Sequence, residues 1–157
     1  MEHATGDWAL NFLCLTLAVT PLVRATGWSW WMRRRRMIGL FAAFYATLHF
    51  ATYFILDMEL DLAEFLRDAA KRPYILAGAG AFALLIPLAA TSTDAMIRRL
   101  RAWWPRLHRL VYAAAVLAVI HYLWLVKADR SSPLRYAAVV AVLLGWRAWS
   151  RVRRIAA

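Results

Sequence analysis

The chain has 157 residues, is 63% hydrophobic with nine Trp, and carries a formal net charge of +11. Five apolar runs of 16 to 20 residues exclude an ordinary soluble bundle, whose helices would each keep one polar face. The basic residues sit between these runs, which points to an anionic lipid surface and away from a nucleic-acid partner.

The runs are 8–23, 37–56, 74–90, 107–126 and 134–149, each end uncertain by a few residues. They predict an all-α, polytopic membrane protein in one transmembrane domain over 1–157, because only helices satisfy their own backbone groups in lipid at this length. The first run contains Cys14, the only cysteine, which reads as a small buried apolar residue. No cleavable signal peptide is visible. Between the first and second runs lie Arg24 and the run Arg33 to Arg36, flanked by the interfacial anchors Trp28, Trp30 and Trp31.

Between the second and third runs, "DMELDLAEFLRDAAKR" mixes Asp57, Glu59, Asp61, Glu64 and Asp68 with Leu60, Ala63, Phe65, Leu66 and Ala70. It predicts a short surface helix, either a solvated connector or a docking site. Pro73 suits the first turn of the next span. Between the third and fourth runs come Arg98, Arg99, Arg101 and Arg106, with Trp103 and Trp104 as further anchors. Alternate segments of the chain thus hold 14 of the 20 Lys and Arg residues. The positive-inside rule places those 14 in the cytoplasm and the N-terminus and the connectors 57–73 and 127–133 outside. An odd number of spans with an outward N-terminus predicts that a further helix precedes Met1, giving six spans with both ends inside.

Three of the four histidines lie in or at the spans; His3 sits in the outward N-terminal stub and reads as solvated. At ~1.5 Å per residue, His49 lies about 18 Å from the inner end of its run and His121 about 21 Å from the inner end of its own. Two imidazoles at matched depth on separate helices can supply both axial ligands of one haem iron. They could equally form an interhelical hydrogen bond or a proton relay. Ala46 and Thr52 flank His49, and Ala114, Ala115 and Ala118 precede His121, leaving room for a flat macrocycle or for close helix packing. His108 lies about 20 Å from His121 along the axis. It reads either as a ligand of a second haem or as an interfacial residue contacting headgroups or haem propionates. There is no Cys-x-x-Cys-His, so a haem here is non-covalent and b-type. Gly78 and Gly80 lie inside an apolar span and form no nucleotide loop. The spans hold no Asp or Glu, which argues against a proton-coupled transporter.

The segments "TGDWAL", "LTLAVTPL", "RRRRMIGLFAAFYATLHF", "KRPYI", "LHRLVY" and "HYLWLVKAD", in this order, resemble the MsrQ (YedZ) family. The resemblance runs from about Thr5 to Leu144. It implies a ferric-reductase-like haem-binding bundle, normally of six spans, in the bacterial inner membrane. It also implies electron transfer through haem b, in one or two copies, to MsrP, a periplasmic molybdopterin enzyme that reduces methionine sulfoxide. The implied donors are the quinone pool or a cytosolic flavin reductase, and FMN is a further implied cofactor. The family's histidines fall on His49, His121 and His108, the first two as the axial pair. A membrane anchor that only recruits a periplasmic partner is the alternative from a different functional class.

Overall fold

A computed structural model describes the backbone of residues 2–156 and the side chains of 4–153; the side chain of His3 lies outside the described residues. Among the described residues the regular structure is all helix, with no strand. In order the helices are α1 (Glu2–Thr26), α2 (Trp30–Leu56), α3 (Leu62–Lys71), α4 (Pro73–Ala90), α5 (Asp94–Leu100), α6 (Trp103–Leu107), α7 (Leu110–Leu125) and α8 (Ser131–Ala156). Four segments are long and apolar enough to cross a membrane: Ala4–Thr26, Trp30–Leu56, Pro73–Ala90 and Trp103–Leu125. α8 contains the fifth predicted run but falls short of that standard, because Arg135 and Arg147 bracket its apolar centre and its first turn is polar.

Two helix pairs make the body. α1 packs along α2, α4 packs along α7, contacts between α2 and α4 join the pairs, and α8 lies against α7 and α1. Between α1 and α2 the seam is aromatic: Phe12 stacks on Phe41 at 5.4 Å and on Tyr45 at 5.5 Å. Between α4 and α7 it is made of small residues, with Ala114 and Ala115 fully buried so that backbones approach closely. The buried side chains, among them Leu13, Leu17, Leu85 and Val119, form one cluster across these helices. Large apolar side chains such as Leu15, Phe44, Leu48, Ile86 and Val142 face outward. That exterior would be an aggregation surface in water and is what lipid tails require.

The helix ends follow local chemistry. Gly27 takes φ +75°, a conformation that L side chains rarely adopt, and closes the α1–α2 turn. The four arginines 33–36 lie within α2, whose helix starts at Trp30, well before the apolar run. The connector between α2 and α4 holds the short helix read from its sequence. The Asp61 side chain accepts hydrogen bonds from the backbone N–H groups of Ala63 (2.7 Å) and Glu64 (3.1 Å), capping α3. Pro73 opens α4 at its first turn. At the other end of α4, the Trp104 indole N–H donates to the Thr91 carbonyl (2.9 Å), satisfying a backbone group the helix leaves unpaired.

The run 107–126 is not one rod. α6 ends at Leu107 and α7 begins at Leu110, with the turn at His108 and Arg109 between them. The Arg109 N–H bonds the Arg106 carbonyl (3.1 Å), and the Tyr112 N–H bonds the Arg109 carbonyl (3.0 Å). These three-residue steps tighten the backbone and set His108 apart from the helix that carries His121.

α1 carries Pro21 within its length. Proline lacks an N–H, so the Leu17 carbonyl four residues earlier loses its helical donor. Arg147 of α8 supplies one: its Nη2 donates to the Leu17 carbonyl (2.9 Å) and lies 3.3 Å from Thr20 Oγ1. The guanidinium also sits over the Tyr112 ring, 5.2 Å from its centroid.

Candidate functional site

His49 on α2 and His121 on α7 face each other with ring centroids 6.1 Å apart and planes at 72°. Each ring is seated by a neighbouring helix. The His121 Nδ1 lies 2.7 Å from the Tyr74 carbonyl in the first turn of α4. A carbonyl can only accept, so Nδ1 carries the proton and Nε2 keeps its lone pair. One turn along α4, Gly78 has no side chain where the ring packs: a Cβ there would lie 2.7 Å from His121 Nδ1. The His49 ring packs on the first turns of α1, where a Cβ on Gly6 would lie 3.2 Å from its Cε1. Thr5 Oγ1 lies 3.5 Å from His49 Nδ1.

Both rings line a cavity of ≈ 480 Å³, within the range of cofactor pockets (about 300–1,000 Å³). Its walls are small or apolar at the histidines, with Gly6, Ala46, Gly78 and Ala118, and aromatic above them, with Phe50 and Phe82. Phe50 stacks on Phe82 at 4.8 Å. Asp57, Glu64, Asp68 and Arg72 from the connector between α2 and α4 complete one end. Of the small residues singled out in the sequence, Ala46 and Ala118 line this space. Ala114 and Ala115 are buried in helix packing instead, and Thr52 turns its hydroxyl onto the Leu48 carbonyl of its own helix (2.8 Å).

His108 is elsewhere. It stacks on Trp104 at 3.9 Å, its Nδ1 lies 3.2 Å from the Trp104 carbonyl, and its Nε2 is buried without a hydrogen-bond partner. It lines a second cavity of ≈ 440 Å³ together with Arg35, Arg36, Arg109 and Arg151. Only Leu13 and Leu85 line both cavities. Asp94 of α5 pairs with Arg36, tying the start of α2 to the connector after α4.

The histidine pair can be tested against the group it would hold. Among the described residues no cluster of three or more His, Cys, Asp or Glu could hold a bare metal ion. A metal held by this pair would have to bring its own remaining ligands, as iron in a porphyrin does. Metal–imidazole bonds of about 2 Å on either side of one iron, plus the half-width of each ring, put axial ring centroids about 6 Å apart. The observed separation of 6.1 Å is compatible with that spacing. The residues fit a bis-histidine haem.

Helical spans and two histidines facing each other across one cavity are the features of a membrane component of ferric-reductase type. Residues 5–119 match the family described as ferric reductase like transmembrane component. The protein-methionine-sulfoxide reductase heme-binding subunit MsrQ of Xanthomonas oryzae pv. oryzae (strain MAFF 311018) is 51% identical over 152 residues, covering 97% of this chain and 70% of the relative. The subunit of the same description from Ralstonia nicotianae (strain ATCC BAA-1114 / GMI1000) is 54% identical, covering 95% of this chain and 70% of the relative. No solved structure matches the chain significantly. The chain belongs to the MsrQ family.

Proposed function

We propose that this chain is an electron-transfer subunit of the inner membrane, holding haem b between His49 and His121 and passing electrons outward to a methionine sulfoxide reductase. The observation that carries the reading is the 6.1 Å separation of the two imidazoles across an apolar cavity. Bound haem would supply one-electron redox chemistry. The chain's own residues do the rest. His49 and His121 hold the iron from two helices. The Tyr74 carbonyl fixes the His121 tautomer and raises its basicity as a ligand. Gly78 and Gly6 let the rings lie against neighbouring backbones, and Phe50, Phe82 and Leu125 keep water from the site.

The relatives' names, heme-binding subunit of a protein-methionine-sulfoxide reductase, support this reading. The finer assignments rest on the resemblance: MsrP as the periplasmic acceptor, the quinone pool or a cytosolic flavin reductase as donor, and FMN. The basic cavity around His108 suits the donor side, where His108 would serve either as a ligand of a second haem or as an interfacial residue contacting headgroups or haem propionates. We place α8 as a fifth span, with the chain's N-terminus outside and its C-terminus in the cytoplasm. A pure anchor has no use for two facing imidazoles.

The test is a reconstituted transfer. Chemically reduced protein in liposomes, mixed anaerobically with a molybdopterin methionine sulfoxide reductase and a methionine sulfoxide peptide, should show its haem reoxidised in step with sulfoxide loss. A haem that stays reduced, or a protein that carries none, contradicts the reading.

A further inference from the structure

A continuous chain of polar contacts links the helix of one histidine to the seat of the other. Tyr53 lies one turn beyond His49 on α2, and its hydroxyl donates to Asp68 Oδ2 of α3 (2.9 Å). The other oxygen of Asp68 accepts from Arg72 Nε (3.0 Å). Arg72 Nη1 donates to the phenol oxygen of Tyr74 (3.2 Å). Tyr74 then presents the carbonyl that holds His121. All of these residues line the cavity between the histidines.

A pair four residues apart on an exposed helix contributes little. This one differs. The Asp68 side chain is only 15% exposed, and its two oxygens are engaged from two directions, one of them another helix. The contacts therefore fix where α3 and the start of α4 sit relative to α2. The first turn of α4 holds the carbonyl that orients the His121 ring, and the ring has no slack, because it already lies against Gly78.

We propose that Tyr53, Asp68, Arg72 and Tyr74 are positioning residues for the His49–His121 pair, acting on the iron ligands through the first turn of α4. The proposal rests on the haem reading above. Groups that hold a metal-ligating histidine typically change metal affinity by about 10- to 100-fold when removed.

The test uses the full-length chain in detergent, with Asp68→Asn, Tyr74→Phe and, as a control on the same connector, Glu59→Gln. Tyr74→Phe removes a single hydroxyl and keeps both the ring and the carbonyl, so it carries the test if Asp68→Asn fails to accumulate. Three quantities are read: the rate of haem loss to a scavenging protein, the midpoint potential, and the low-spin electron paramagnetic resonance spectrum. Asp68→Asn and Tyr74→Phe should each lose haem about 10- to 100-fold faster, with a displaced potential and shifted g-values, while Glu59→Gln behaves as wild type. Wild-type haem loss, potential and spectrum in both variants would overturn the proposal and leave the haem reading standing. The haem reading itself fails on a different result, a wild-type spectrum in both His49→Ala and His121→Ala.

Discussion

His121 is pressed against the backbone of α4 at Gly78, close enough that a single methyl group at that position would lie 2.7 Å from its Nδ1, inside van der Waals contact. The contact fixes the ring that also bonds the Tyr74 carbonyl, so the glycine and the histidine act as one unit.

Gly78→Ala should therefore displace the ring or force α4 and α7 apart, at a cost of about 1–3 kcal/mol. We expect most haem to be lost from this variant. Gly80→Ala serves as the control in the same helix, since its Cβ would lie 3.4 Å from Leu117 Cδ1. Haem per chain, by pyridine haemochrome against protein concentration, decides. Equal content in the two variants would contradict the role given to Gly78.

Arg147 and Pro21 should be coupled. Arg147→Met removes the donor to the Leu17 carbonyl and should destabilise the protein by about 1–3 kcal/mol. Pro21→Ala restores a backbone N–H four residues after Leu17, so the same arginine substitution should cost less in that background. A double-mutant cycle on detergent-solubilised unfolding measures the difference. Additive effects would mean that Arg147 does not compensate for the proline.

The charge distribution predicts an orientation that labelling can check. Cys14 is buried, so an introduced cysteine supplies the signal. Glu59→Cys, in the outer connector, should react with a membrane-impermeant maleimide in intact spheroplasts. Arg99→Cys should react only after permeabilisation. The reverse pattern would invert the topology.

Much of this was legible in the sequence because a membrane imposes length and apolarity run by run. Counting residues along the helices was enough to put His49 and His121 at one depth, and the structure brings their rings together. The mixture of acidic and apolar residues in the connector between α2 and α4 was enough to give α3. What stayed hidden depends on tertiary approach. Gly78 looked like an ordinary span glycine, since its use is defined by a ring from another helix. Tyr74 acts on His121 through its carbonyl, which no residue type encodes. The break at His108 and Arg109 comes from a local tightening of the backbone inside an otherwise apolar run. Pro105, three residues before His108, was the one signal there. Arginines 33–36 fall outside the apolar run, yet α2 continues through them, because long basic side chains can reach the interface from a helix that extends past the hydrocarbon.

The central claim is that His49 and His121 hold one haem between them. The most direct measurement is the haem absorption and electron paramagnetic resonance spectrum of the purified protein beside His49→Ala, His121→Ala and His108→Ala. The account predicts a low-spin bis-histidine signal in the wild type, its loss in each of the first two variants, and its persistence in His108→Ala. Persistence of that signal in His49→Ala and His121→Ala would contradict it.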